Sequence, residues 1–79
     1  MARFFFHLID DFDVPDEVGK ELPTLQAAHD HAVKYARFTL AQTVLDEAKI
    51  NFDHRIDIKN EHGHVLDSVR FRETVMIEG

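Results

Sequence analysis

The sequence predicts an α+β domain: a mainly antiparallel sheet of three or four strands with one long helix packed on one face. Three observations predict it. A phenylalanine-rich apolar run fills residues 2–9. An unbroken stretch without Gly or Pro, Leu25 to Lys49, carries apolar residues at helical spacing. After Phe52 the hydrophobic period drops to two and is interrupted by Asn60-Glu61-His62-Gly63. The order is therefore strand, short edge segment, helix, strand, strand, and the 79 residues make a single domain, 1–79.

The first strand places Phe4, Phe6 and Leu8 on one side and Phe5, His7 and Ile9 on the other. Both sides are apolar, which predicts an interior strand with something covering each face. Residues 10–21 are expected as a loop holding a short strand near Phe12 to Val14, at an edge because Pro15 has no amide to donate. Gly19 is available for a positive φ that turns the chain toward the helix.

Thr24 is the expected N-cap of that helix. Leu25, Ala28, Ala32, Ala36, Leu40 and Val44 form its buried stripe, whose alanines allow a close approach to the phenylalanines of the first strand. Tyr35 and Phe38 lie on its flanks. From Phe52 to Lys59, His54, Ile56 and Ile58 face one way with Phe52; Asp53, Arg55, Asp57 and Lys59 make a wet face. Asn60 to Gly63 is a hairpin connection. The return strand, about His64 to Phe71, alternates imperfectly and calls for a bulge near Asp67-Ser68. The tail Val75-Met76-Ile77 is apolar enough to dock.

Net charge is −6, and residues 1–31 carry seven acids against Arg3 and Lys20. An acidic chain without a basic stripe is repelled by phosphate backbones and anionic membranes, so neither nucleic acid nor membrane is an expected partner. No cysteine is present, which excludes disulfides and thiolate chemistry and favours a reducing compartment. The apolar run before Asp10 is too short for a signal core, and the expected location is cytoplasmic.

The opening Arg3-Phe4-Phe5-Phe6-His7-Leu8, the acidic Asp16-Glu17-Val18-Gly19-Lys20-Glu21-Leu22, the helix positions Leu25, Ala28 and Ala32, the hairpin Ile56 to Leu66 and the closing Phe71 together resemble a family of very short bacterial proteins classed as a domain of unknown function. The resemblance covers most of the chain. It implies a free-standing domain and no activity, and no catalytic residue is carried over.

Six histidines raise a metal. His29 and His31 are two apart on a helix and point to different sides, whereas His62 and His64 flank Gly63 and supply only two ligands where zinc needs three or four. A calcium loop begun at Asp11 would put Pro15 fifth, Asp16 in the glycine position and Leu22 last, and fails. No catalytic, cofactor-binding or metal residue is therefore expected, and no enzyme. His7 in its apolar strand reads first as a half-buried histidine satisfied by a neighbour, and otherwise as a ligand contact beside Asp10 and Asp11.

Two functions stay open. The first is a non-enzymatic interaction module that homodimerises, or meets an unidentified protein, through Phe5, His7, Ile9, Tyr35 and Phe38, since one helix cannot cover them all. The alternative is a small-molecule or divalent-ion binding domain using the acidic loop and His7.

Overall fold

The computed structural model describes residues 1–10 and 13–76. Strands β1 (Ala2–Ile9), β2 (Asp13–Val14) and β3 (Lys20–Leu22) precede the helix α1 (Leu25–Glu47), and β4 (Arg55–Lys59) and β5 (Val65–Arg70) follow it, ending in a 3₁₀ turn, Phe71–Glu73. The sheet is antiparallel and five-stranded, in the order β2-β1-β4-β5, with β3 sharing the outer edge of β1 with β2. The α+β class, the single helix and the closing hairpin are as the hydrophobic periods predict.

Even-numbered β1 residues Phe4, Phe6 and Leu8 are buried under α1, together with Ile56 and Ile58 of β4, Val69 of β5 and Phe71. The helix meets them through Ala28, Ala32 and Ala36, which are fully buried, and Leu40. Side chains of one carbon let the helix backbone close on the phenylalanine row, and seven larger apolar groups fill the remaining space. The stripe is shorter than its sequence pattern: Leu25 and Val44 overhang the sheet and stay about 40% exposed, at 42% and 41%.

Thr24 caps the helix as expected, its Oγ1 accepting the amide of Ala27 at 3.0 Å. The helix ends at Glu47 rather than Lys49, because Ala48 enters the left-handed region at φ 53 and returns its amide to the Val44 carbonyl.

Three details depart from expectation. Lys20–Leu22 is a strand, paired with Ala2–Phe4, although three residues without alternation give no period to read. The β4 strand starts at Arg55; Phe52 and Asp53 belong to a turn in which the Asp53 amide donates to Asn51 Oδ1 at 2.8 Å. Asp57, assigned to a wet face, is only 7% exposed, because β4 is flanked by β1 and β5 and its outward side chains are walled in.

The expected bulge is present: it lies opposite Ile58 and Lys59 and leaves Leu66 as the extra residue, just ahead of Asp67-Ser68. That position keeps Asp67 on the helix side, where its Oδ2 meets His29 Nδ1 at 3.0 Å, and turns Val65 to the opposite face beside Lys59. The tail does not dock as a unit: Val75 and Met76 are exposed, and Ile77 lies outside the described residues, as does Phe12 of the predicted edge segment. What docks is Thr74, 3% exposed, whose carbonyl accepts Arg37 Nε at 2.7 Å.

Candidate functional site

Two surfaces concentrate chemistry, and β1 separates them. The first is the face of the sheet that α1 does not touch. Among the described residues no helix or strand covers it and only the Val18–Gly19 turn reaches its edge at Arg3 and Phe5, contrary to the two covered faces that β1 itself suggests. Arg3, Phe5, His7 and Ile9 point there, the last three half-buried. Register fixes their neighbours: Phe5 lies opposite Lys59, His7 opposite Asp57 and Ile9 opposite Arg55 on one side, while Arg3 lies opposite Glu21 and Ile9 opposite Asp13 on the other. Beyond β4, Arg70 pairs with Arg55 and Ser68 with Asp57.

At its centre, Asp57 accepts Arg55 Nε at 3.0 Å and Ser68 Oγ at 2.8 Å. Two donors satisfy a carboxylate walled in by its neighbours.

The resulting face has an order. Asp13 and Glu21 stand on β2 and β3, with Glu21 paired to Arg3 of β1 at 3.4 Å; the row Phe5–His7–Ile9 runs along β1; and Arg55, Lys59 and Arg70 stand on β4 and β5 around the carboxylate of Asp57, which leaves the first flank acidic and the last basic. Single-residue reading of the sequence could not find this order, because it is created by pairing between segments.

The second surface is a cleft of about 460 Å³ between the 14–20 segment and the helix, lined by Phe6, Val14, Pro15, Asp16, Gly19, Lys20, His31 and Tyr35. Its anchor is Asp16, which sits where β2 has ended and β3 has not begun. Its Oδ2 accepts the Phe6 amide of β1 at 3.2 Å, and its Oδ1 accepts the amides of Val18 and Gly19 at 3.0 Å each. The carboxylate thus takes the place of a strand along one step of the β1 edge.

Gly19, at φ 73, follows for steric reasons: a Cβ there would come within 2.9 Å of Arg3 Cγ and of Phe5 Cε1.

Burial alone would raise the Asp16 carboxyl, but the amides of Gly19, Phe6 and Val18 and the nearby His7 outweigh it and hold it below its ordinary value. His31 packs edge-on against Phe6 with ring centroids 4.6 Å apart. Burial, reinforced by Lys20 and Lys34 and opposed by Asp16, holds its imidazole below the ordinary value. Burial, then Asp16 and Asp10, push the Tyr35 phenol up. The cleft therefore presents an ionised carboxylate, a neutral imidazole and a protonated phenol around an aromatic floor.

Residues expected to act together are divided by this geometry. Phe5, His7 and Ile9 share the open face. Tyr35 lines the cleft, on the helix side, and Phe38 projects outward from α1 at 63% exposure. His7 does not line the cleft; the imidazole that joins the acidic segment there is His31. Asp11 lies outside the described residues.

His62 and His64 do approach, their rings 6.3 Å apart over the hairpin. Among the described residues no group of three or more His, Cys, Asp or Glu side chains is placed to hold a metal ion.

A family model described as a domain of unknown function, DUF6894, matches residues 3–72. The chain belongs to the DUF6894 family. The match runs from Arg3 in β1 to the 3₁₀ turn, so both surfaces fall within the DUF6894 domain, and it agrees with the resemblance to a domain-of-unknown-function family. No curated protein and no solved structure matches the chain. Among the described residues, no helix is long and apolar enough to cross a membrane.

Proposed function

We propose that this DUF6894 chain is a non-enzymatic interaction module that forms a homodimer by stacking the open faces of two sheets. The observation that carries the reading is the order acid, apolar, base across that face. A twofold axis parallel to the strands and above β1 sets Phe5, His7 and Ile9 of one copy against the same row of the other. It also sets the Asp13 and Glu21 side of each copy over the Arg55 and Lys59 side of its partner. An order with acids or bases on both flanks would repel itself under the same operation.

Sheet spacings give a buried area of about 900 Å² in total, below the size of stable specific interfaces, which fits a weak, transient dimer. The absence of cysteine supports a reducing, cytoplasmic setting. Sedimentation at tens of micromolar tests the dimer: two-chain mass at low salt, a shift toward one chain at high salt, and one chain for Phe5→Glu. A wild-type monomer at every salt concentration overturns it.

A second reading is favoured by one observation, the meeting of Asp16, His31 and Tyr35 in the cleft: the domain takes a small polar molecule there. A thermal-shift screen over metabolites and divalent ions tests it, and a response that His31→Ala leaves unchanged removes the cleft from consideration.

A further inference from the structure

We infer that the recess at the corner where β4 begins and β5 ends is an anion site for the phosphate group of a small molecule. It is lined by Phe52, Asp53, Arg55, Ser68, Arg70 and Arg72 and measures about 390 Å³, within the range of small-ligand sites.

Three of the nine lysines and arginines of a chain with net charge −6 converge there. General basicity does not explain them. Arg55 and Arg70 are directly opposite in the ladder, an arrangement in which like charges normally repel and destabilise the pair. The donors are only partly used. Arg55 gives Nε to Asp57, and Arg72 gives a terminal amino group to Asp53 at 2.9 Å. The Arg70 guanidinium makes no hydrogen bond or ion pair among the described residues. Counting both carboxylates, one positive charge is unmatched.

Guanidinium groups meet tetrahedral oxyanions through paired, parallel hydrogen bonds. A phosphate monoester has three terminal oxygens and close to two charges, enough to engage Arg70 and the unused amino groups of Arg55 together. Phe52 offers an apolar wall to the body that carries the phosphate. A nucleic-acid backbone needs a longer basic stripe than three arginines in a chain of net charge −6, so a single phosphate group fits and a polyanion does not.

The site shares only Arg55 with the proposed dimer. One strand's width lies outside β1 on the acidic side and two on the basic side, so β5 with Arg70 extends past the partner's sheet and that side of the recess stays open.

The test is an NMR titration of the ¹⁵N-labelled full chain with inorganic phosphate at constant ionic strength, with sulfate, acetate and chloride as parallel arms. Saturable shifts confined to residues 52–55 and 68–72 are expected, strongest with phosphate, shared by sulfate and weak with acetate. Arg70→Gln, at an exposed position, should weaken phosphate at least about fivefold while the rest of the spectrum is unchanged. Phe5→Glu, which breaks the dimer, should leave the phosphate response intact, so the two readings fail separately. Shifts that do not saturate, acetate or chloride matching phosphate, or an undiminished response in Arg70→Gln overturns the site.

Discussion

The two faces of β1 are built from nearly the same residues and do different things. Phe4, Phe6 and Leu8 lie under the helix and are buried; Phe5, His7 and Ile9, one residue out of step, are half-buried with no element above them. Hydrophobicity along the strand does not separate the rows. What separates them is company: one row faces alanines and the Ile56–Ile58–Val69–Phe71 cluster, and the other stands between acids and bases. Apolar residues define a core only where another apolar surface meets them, and otherwise they define a place for one.

The largest break in the comparison comes from deleting a side chain on each face. Phe71→Ala empties a site 1% exposed and should lower stability by about 3–5 kcal/mol in urea unfolding. Phe5→Ala, at a half-buried position, should cost under about 1 kcal/mol in the monomer while weakening self-association. Equal losses at the two positions would mean that the open face is a second core.

Next comes the edge that both rows share. Asp16→Ala leaves the amides of Phe6, Val18 and Gly19 without their acceptor and should cost about 1–3 kcal/mol. Amide exchange at Phe6 reports it directly, and unchanged protection there would show that β1 does not need the carboxylate.

A pH series sharpens the same point. The Asp16 carboxyl titrates lower in the fold than in the unfolded chain, so its contribution is present above the ordinary aspartate value and lost as pH falls through the folded one. His31, also lowered, acts earlier: below the ordinary histidine value the unfolded chain takes up a proton that the fold resists. Stability should therefore fall on acidification in two stages, the first absent in His31→Phe. Tyr35, raised, adds a loss on the alkaline side, beginning at the ordinary tyrosine value, which Tyr35→Phe removes. A single acid stage in both His31→Phe and wild type would remove His31 from this account.

The smallest effect is expected away from both faces. Ala48 carries a left-handed φ of 53 that glycine adopts without strain, so Ala48→Gly should raise stability by about 0.5–1 kcal/mol without changing association.

Much of the framework was legible because it is written in local periods. The first strand, the helix with its Thr24 cap and the hairpin turning at Gly63 each carry their own signal. The β3 strand does not: Lys20-Glu21-Leu22 pairs because Asp16 and Gly19 return the chain to β1, and no alternation marks it. Asp57 was misread because its burial comes from strands on both sides. The sites follow the same division. His7 is conspicuous in sequence as a histidine among phenylalanines, whereas His31 enters the cleft only through the helix rotation that sets it on Phe6. The charge order across the open face and the Arg55–Arg70 pairing are products of register. An Asp three residues before a Gly was the one available sign of the turn around Asp16.

The Asp16 carboxylate bears also on how many copies can join. Between β2 and β3 the outer rim of β1 would otherwise offer a free amide to any passing extended chain, which is how sheets recruit strangers and grow into fibrils. A side chain fastened from the same molecule occupies that amide, so no further copy can join along this step of the rim.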